Sequence, residues 1–458
     1  MLKCLAAGIF LFLLAACNQP AEKDMNRERF IQLVVLDPGH FHAALVQKQM
    51  YDGVDTTVYV YAPDGPEVED YIKRTNAFNS REENPTSWKL EVYKGKDFLE
   101  KMLKDKPGNL VVLAGNNQRK TEYIEACVKA GLHVYSDKPM AIDPGDYDLL
   151  TATMKNADEN GILVYDIMTE RFEITNRLQK LMSGQKQIFG ELLPGSLEEP
   201  ALEKKSVHHF YKEVSGIPLI RPDWFFDVKQ EGTALADVGT HLVDLILLGA
   251  GSRQNPVKID EVEIIKLETR TIALAPEEFQ LVTGKDSYPA FLQTYVDEDS
   301  LMVPSNSYLD FKVRKHYAHV SVEWAFKAEE GGGDTHYSIM RGSISDLIIR
   351  QGPEERFMPV VYIKLKKPEY KSIFETNLQL FLKESLNEIY PGSTFESLTD
   401  SSWRLNIPNK YRIGHEAHFE EVTKTFLSYL QLGRIPDWEQ TLIQTKYSIT
   451  TSARYVSK

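Results

Sequence analysis

The sequence has little cysteine and no excess of positive charge, and each absence excludes a class of protein. Only 3 of its 458 residues are cysteine, too few for a disulfide framework. It has 53 Lys and Arg against 66 Asp and Glu, a formal net charge of −13. That balance argues against nucleic acid or an anionic membrane surface as the main partner. With 42% hydrophobic and 26% charged residues, the chain has the composition of a folded globular protein. We expect a neutral or weakly charged small-molecule partner.

One long apolar run is present, from Leu5 to Ala16, and it is too short to span a bilayer. It follows Lys3 and has the length of a signal-peptide core. The residues Leu-Ala-Ala-Cys at 14–17 resemble a bacterial lipobox, in which the cysteine takes a lipid. We predict a lipoprotein signal peptide with lipidated Cys17 over 1–17, a polar tether over 18–29, and anchoring through that lipid in the bacterial cell envelope, facing the periplasm. A plain signal peptide is the alternative.

Short β-branched runs alternate with helical patterns from residue 30 onward. The runs predict six strands, at 30–36, 56–61, 88–93, 110–114, 133–135 and 162–167. The helical patterns lie at 43–50, 67–74, 97–104, 120–130 and 146–160. Because strands that alternate with helices at this spacing form right-handed crossovers, we predict a doubly wound parallel sheet over 30–165, a dinucleotide-binding domain. Such sheets bind ligands beyond the carboxyl ends of their strands.

The pattern changes after residue 165. Strand-like runs follow one another at 257–271, 308–313, 318–325, 336–341, 343–351 and 360–365, with few helices between them. Two helical patterns, 373–389 and 415–430, come near the end of the chain. We therefore predict an α/β protein in which residues 166–458 form a substrate-binding α+β domain with a largely antiparallel sheet.

The turn after the first predicted strand contains Gly39, His40 and Phe41, where a dinucleotide-binding sheet carries its glycine-rich loop. Only Gly39 matches the usual glycine pattern, so this turn is a weak indication of a cofactor. Asp64 follows the second strand, and no basic residue comes before Lys73. A carboxylate there favours the ribose diol of NAD over the 2′-phosphate of NADP.

The stretch after the fourth predicted strand contains Asn117 and leads through a Gly-Leu-His-Val strand to the turn with Lys138. It resembles the glucose-fructose oxidoreductase / inositol 2-dehydrogenase (Gfo/Idh/MocA) family, with Asn116 in place of the usual proline and Lys120 in place of the usual histidine. The resemblance implies a Rossmann domain whose NAD cofactor is contacted by Asn117 and Lys138. A lysine at the carboxyl end of a parallel strand can point its ammonium group into the cofactor cleft.

A second motif lies within residues 232–249, which predict an apolar helix with Asp237, Thr240, His241 and Asp244 on one face. Such polar side chains are costly to bury unless they meet partners or line a cleft. The spacing Asp-x-Gly-x-His-x-x-Asp is that of the same family's second motif. The similarity extends from residue 30 to about residue 330.

The resemblance implies an NAD-dependent oxidoreductase that acts on a secondary alcohol of a sugar or sugar-like polyol. His241 is the predicted general base, because an unperturbed imidazole titrates near neutrality. Lys138 is predicted to hydrogen-bond the same substrate oxygen, and Asp237 to orient or charge-balance one of these two. Four further residues are expected to contact the substrate: Asp244, Arg171, Trp224 and His208.

Two other functions stay open at this point. The first is an NAD-dependent glycosidase or lyase, in which transient oxidation of a sugar carbon acidifies the adjacent C–H and permits elimination. The second is a lipid-anchored sugar-binding protein with a decayed cofactor turn. No metal site is predicted, because His415-Glu-Ala-His418 has one residue too few for a zinc protease helix. A homo-oligomer and a monomer are equally compatible with the sequence.

Overall fold

The computed structural model describes residues 30–214 and 217–452, and a six-stranded parallel sheet forms its N-terminal domain. The strand order is β3-β2-β1-β4-β5-β6, and every neighbouring pair is parallel. All six predicted strands and the doubly wound sheet are confirmed. The strands are β1 (Ile31–Leu36), β2 (Val54–Ala62), β3 (Lys89–Lys94), β4 (Leu110–Leu113), β5 (His133–Asp137) and β6 (Val164–Ile167).

Five helices connect these strands. The last of them begins where Asp143 accepts a hydrogen bond from the Asp146 backbone N–H and Pro144 occupies the first turn. The first is only four residues long, shorter than the predicted 43–50. The helices are α1 (His42–Leu45), α2 (Pro66–Ser80), α3 (Phe98–Asp105), α4 (Lys120–Lys129) and α5 (Pro144–Glu159).

A ten-stranded sheet forms the second domain, in the order β10-β12-β13-β7-β14-β15-β16-β18-β17, with β11 beside β12. Its neighbours are antiparallel except for the parallel pair β7 and β13. The predicted largely antiparallel sheet is confirmed. Its strands are β7 (Leu202–Tyr211), β10 (Val262–Leu274), β11 (Val296–Asp297), β12 (Ser300–Val313), β13 (His316–Lys327), β14 (Thr335–Arg341), β15 (Ser345–Gln351), β16 (Val360–Leu365), β17 (Thr394–Thr399) and β18 (Ser402–Asn406).

The remaining elements flank this sheet or close the chain. A hairpin of two short strands, β8 (Glu213–Val214) and β9 (Ile217–Pro218), lies apart from it. The helices are α6 (Ile174–Ser183), α7 (Gly239–Ala250), α8 (Pro276–Thr283), α9 (Lys371–Phe381), α10 (Asn387–Ile389), α11 (His415–Leu432) and α12 (Asp437–Thr450). Within residues 30–214 and 217–452, no helix is both long and apolar enough to cross a bilayer. The predicted signal peptide, Cys17 and the tether lie outside the described residues.

Strand β7 lies near the middle of the second sheet, although the sequence did not predict it. Its Glu203 and Lys204 interrupt the apolar pattern, yet both are buried. The Lys204 ammonium is accommodated by Ser338 at 2.9 Å and Asn176 at 3.3 Å. A buried charge with polar partners can occupy a core strand, and hydrophobic periodicity does not detect it.

The last two helices pack on the N-terminal domain, although the sequence groups them with residues 166–458. The Phe426 ring on α11 stacks between Tyr135 and Tyr165, with ring centroids 5.1 and 5.2 Å away. Tyr447 on α12, a helix that the sequence did not predict, belongs to the same hydrophobic core. The C-terminal segment therefore ties the two domains together and completes the wall of the cleft.

Candidate active site

A cavity of about 720 Å³ lies between the two domains, where parallel sheets of this kind bind ligands. The N-terminal domain contributes His40, Asn117 and Lys138, and the second domain contributes His241 and His208. A smaller cavity of about 260 Å³ lies at the carboxyl ends of β1, β2 and β4. Trp224 lines both cavities, so they meet at its side chain.

Lys138 and Asp237 form an ion pair in the larger cavity. Lys138 directly follows β5, and Asp237 lies in the turn that precedes α7. Burial opposes the charge on both groups, but each charge stabilises the other. The pKa of Lys138 is therefore raised and the pKa of Asp237 lowered. The pair is ionised at neutral pH and holds the ammonium group at the cavity wall.

His241 lies on the first turn of α7 and lines the same cavity. Its Nδ1 atom is buried without a hydrogen-bond partner in the described part of the chain. Burial, and then the nearby Lys138 charge, lower the pKa of His241 to about 4. The expected titration near neutrality is therefore wrong. The imidazole is neutral at pH 7 and free to accept a proton.

Asp244 does not reach the cavity, so its predicted contact with a substrate hydroxyl is wrong. Its side chain is fully buried and receives two hydrogen bonds of 2.6 Å from Arg171. Lys446 lies 3.2 Å from the same carboxylate. Arg171 also pairs with Glu439 at 2.6 Å, so the predicted substrate contact of Arg171 is wrong as well. These residues form a buried ionic network beneath the site.

The predicted helix over 232–249 begins only at Gly239, so Asp237 precedes it instead of lying on it. The turn is held by the Asp237 N–H, which donates to the Thr233 carbonyl at 2.9 Å. Gly232 at its start has a φ of +94°, a conformation that favours glycine. The turn brings Asp237 to Lys138 while the helix carries His241 into the cavity.

The turn after β1 has only some of the features of a dinucleotide-binding loop. Gly39 lines the smaller cavity, and a side chain there would come within 3.3 Å of the Asn116 backbone N. The N–H groups of Gly39 and His40 both donate to the Ala114 carbonyl at 3.1 Å. They therefore hold the β1 and β4 loops together and leave fewer donors for a pyrophosphate. His40 and Phe41 line the larger cavity instead.

Asp64 does not line either cavity, so the predicted contact with the cofactor ribose is wrong. Its side chain is 82% exposed and lies 3.8 Å from the Lys94 ammonium. Glu67, in the first turn of α2, is the acid from this part of the chain that lines the smaller cavity. The sequence located the loop correctly but not the residue, because the short turn after β2 carries Asp64 outward.

Asn117 lines the larger cavity, but its amide group is committed to the second domain. It donates to the backbone and the carboxylate of Glu231, each at 3.0 Å. Lys120 donates to the Asn117 side-chain oxygen and, at 3.2 Å, to the Asp137 carbonyl. Lys120 thus replaces the usual histidine as a buried anchor for the loop. Burial, and then Asp237, raise the pKa of Glu231 well above its usual value.

The second domain contributes the polar wall where a substrate would bind. Asp334 accepts from His208 at 3.2 Å and His209 at 3.0 Å, and it also pairs with Lys212. His208 and Trp224, which are predicted to contact the substrate, both line the larger cavity. Six buried atoms of the cavity lining have no hydrogen-bond partner among the described residues: His40 Nδ1, Ser206 Oγ, His208 Nε2, His241 Nδ1, His336 Nε2 and His418 Nδ1.

Two family models together match most of the chain. The "Oxidoreductase family, NAD-binding Rossmann fold" model of the Gfo/Idh/MocA family matches residues 35–164. The "Putative oxidoreductase C terminal domain" model matches residues 178–458, more than half of the chain. The chain belongs to the Gfo/Idh/MocA oxidoreductase family. It is an NAD(P)-dependent oxidoreductase, as the resemblance of its motifs implied.

Solved structures agree with this assignment. A "putative oxidoreductase" from Parabacteroides merdae is 46% identical, with a TM-score of 0.90 over 93% of this chain and 96% of its own. A 3-ketoreductase from Actinomadura kijaniata, bound to TDP-benzene and NADP, is 15% identical, with a TM-score of 0.55 over 93% and 98%. Biliverdin reductase from Synechocystis is 10% identical, with a TM-score of 0.55 over 92% and 98%. The last two show the fold alone. No curated protein matches the chain.

This Gfo/Idh/MocA oxidoreductase has further cavity residues that the sequence analysis did not select. Glu170 follows β6, His336 lies on β14, and His415 and His418 begin α11. They come from elements far apart in the chain, and a single sequence does not show that these elements meet. The one available signal was the His415-x-x-His418 spacing, which places both imidazoles on one face of a helix.

Proposed function

We propose that this oxidoreductase interconverts a secondary alcohol and a ketone on a sugar, glycoside or polyol, with NAD as cofactor. The observation that carries the proposal is the set of unpartnered buried polar atoms in the larger cavity. Such atoms cost free energy unless a ligand satisfies them. A molecule with several hydroxyl groups can donate to and accept from them at once.

The charges of the cavity favour a neutral ligand. Two of the lysines that line the cavity are already paired, Lys138 with Asp237 and Lys212 with Asp334. Arg221 stacks over the Trp324 ring at 5.1 Å, so its guanidinium is also engaged. A phosphorylated or carboxylated substrate would find the charges of Lys138 and Lys212 already balanced by their partners.

His241 and Lys138 have different roles at the substrate oxygen. His241 Nδ1 accepts the hydroxyl proton during oxidation and returns it during reduction. The Lys138 ammonium donates a hydrogen bond to the same oxygen and stabilises its alkoxide character. Asp237 holds that ammonium in place. When bound, the nicotinamide supplies the hydride acceptor or donor.

Gly39, His40, Phe41 and Trp224 would hold the cofactor across the two cavities. We favour NAD over NADP because Glu67 lines the smaller cavity, where a carboxylate can accept from ribose hydroxyls but repels a 2′-phosphate. Arg119 is the one lysine or arginine among the described residues that line it, and it is already paired with Glu122 at 2.9 Å.

The experiment is to incubate the purified protein with NAD and a panel of methyl and aryl glycosides, inositols and free sugars. The proposal predicts a keto product together with reduced nucleotide. Release of the aglycone without net reduced nucleotide would instead establish the redox-neutral glycosidase reaction. Binding of a sugar with no change in NAD, in a protein that also fails to bind NAD, would replace the proposal with the sugar-binding function.

A further inference from the structure

Three potential metal ligands meet at one wall of the larger cavity. Glu170 lies in the 3-10 turn Thr169–Arg171 that follows β6, and His415 and His418 are the first and fourth residues of α11. One ligand atom from each lies within 4.8 Å of the other two. All three residues line the cavity. The domain that binds nucleotide and the C-terminal segment that packs on it therefore build this cluster together.

The geometry of the cluster suits a small ion. His415 Nδ1 lies 3.6 Å from Glu170 Oε1, close to the roughly 3.4 Å that separates two ligands of a tetrahedral zinc ion. His418 is only 4% exposed, and its Nδ1 has no hydrogen-bond partner in the described parts of the chain. A buried imidazole nitrogen without a partner costs free energy, and a metal bond would remove that cost.

We propose that Glu170, His415 and His418 bind one divalent transition-metal ion of the Zn²⁺ type. Two imidazoles and one carboxylate are a ligand set that zinc and similar borderline ions use when one coordination position stays open. The open position here faces the cavity, because all three ligand residues line it. A water molecule or an oxygen atom of the ligand in the cavity completes the coordination.

A neighbouring cluster of His40, His42 and Asp137 is a poorer metal site. His42 Nδ1 lies 2.9 Å from an Asp137 carboxylate oxygen, so a hydrogen bond already occupies that oxygen, and His40 Nδ1 lies 3.6 Å from the same atom. The buried Lys120 ammonium lies 3.2 Å from the Asp137 backbone oxygen and adds positive charge there. An ion would have to displace a hydrogen bond and approach that charge.

The site stands independently of the proposed function. Only one part rests on the proposed function, namely that a hydroxyl oxygen of the polyol can be the fourth ligand. Metal binding by the protein without substrate therefore tests the metal site separately from the proposed function. The sequence prediction of no metal considered several histidine pairs, among them His415 and His418, whose spacing lacks one residue of a zinc protease helix. The third ligand, Glu170, lies much earlier in the sequence, so the His415–His418 spacing does not include it.

The test is metal binding by the full chain without a histidine tag, after treatment with a chelator. Titration with Zn²⁺ in a calorimeter is expected to give about one equivalent, and Co²⁺ is expected to give the visible absorption of a four-coordinate site. Glu170→Gln and the half-exposed His415→Ala are each expected to weaken binding by at least about a hundredfold. The control His319→Ala removes an imidazole paired with Asp310 at 2.6 Å outside the cavity and is expected to bind like wild type.

The proposal is overturned if the folded wild-type protein binds neither ion. It is also overturned if both ligand variants keep wild-type affinity, or if His40→Ala abolishes binding while Glu170→Gln does not, since that result would assign the ion to the neighbouring cluster. Circular dichroism of each variant shows whether it is folded, and Glu170→Gln, which keeps the side-chain shape, guards against a loss of binding through misfolding.

Discussion

Lys138 and Asp237 form an ion pair that joins the carboxyl end of the parallel sheet to the turn before α7. Their side chains are 11% and 10% exposed, at the wall of the cavity that His241 also lines. The pair places a fixed positive charge beside a neutral imidazole. This arrangement can take the proton from a substrate hydroxyl and stabilise the alkoxide that forms at the same place.

Replacing Lys138 or His241 tests whether both residues act on the substrate oxygen. Lys138→Ala and His241→Ala are each expected to lower turnover by roughly two to four orders of magnitude, because each loses a group that acts on the substrate oxygen. The double variant is expected to lose less than the product of the two effects, since the residues act as a unit. Steady-state turnover with the substrate found in the glycoside panel is the measurement.

His319→Ala is the matched control for these variants, because it removes an imidazole that is not part of the cavity lining. It is expected to leave turnover unchanged. Near-normal turnover in either Lys138→Ala or His241→Ala, with circular dichroism like wild type, would remove that residue from the mechanism.

We infer that Glu67 favours NAD over NADP, because its carboxylate lines the smaller cavity. Glu67→Ala is expected to weaken NAD binding by about ten- to a hundredfold, since a hydrogen bond to a charged group is worth about 1.5–3 kcal/mol. NADP binding is expected to change little or to improve. Calorimetric titration of both nucleotides measures the effect. Asp64→Ala, which removes an exposed acid from the same loop, is the control. Loss of NAD affinity in Asp64→Ala alone would restore the role that the sequence gave to Asp64.

The buried ionic network around Asp244 is expected to contribute strongly to the free energy of unfolding. Asp244→Asn leaves Arg171 and Lys446 without their shared carboxylate and is expected to cost about 3–5 kcal/mol of unfolding free energy. Glu268→Gln, which breaks the solvent-exposed pair with Arg270, is expected to leave the unfolding free energy nearly unchanged. Denaturant unfolding compares the two. Equal effects would show that the network contributes no more than a surface pair.

The same network predicts how stability depends on pH. Burial opposes ionisation of Asp244, but Arg171 and then Lys446 lower its pKa to about 2. A group whose pKa is lower in the folded state stabilises the fold fully above its unfolded pKa of about 3.9. That contribution is lost as the pH falls towards 2. The difference in stability between wild type and Asp244→Asn is therefore expected to shrink below about pH 4.

We propose that Cys17 carries a lipid that anchors the protein in the cell envelope, on the basis of the residues Leu-Ala-Ala-Cys at 14–17. Cells labelled with a fatty-acid analogue are expected to incorporate label into the wild-type protein and not into Cys17→Ser. Equal labelling of both proteins would exclude lipidation at this position.

The sequence predicted what depends on local pattern. The six parallel strands follow from β-branched runs, and the placement of Lys138 and His241 at the cleft follows from their motifs. What it could not predict depends on partners from distant segments. Asp244 looked like a site residue until its partner Arg171 was seen, and β7 was missed because Lys204 is buried among polar side chains. Glu170 had no sequence signal, because His415 meets it only in the folded chain.

The most direct test of the proposed oxidoreductase reaction is whether the hydrogen atom on the carbinol carbon of the substrate is transferred to the nucleotide. A glycoside or polyol from the panel, deuterated at its ring or chain carbinol carbons, is mixed with the protein and an equal amount of NAD and quenched early. Mass spectrometry then measures the nucleotide. The account predicts one deuterium in the nucleotide with the wild-type protein and none with His241→Ala. Formation of product by the wild-type protein with no deuterium in the nucleotide would contradict it.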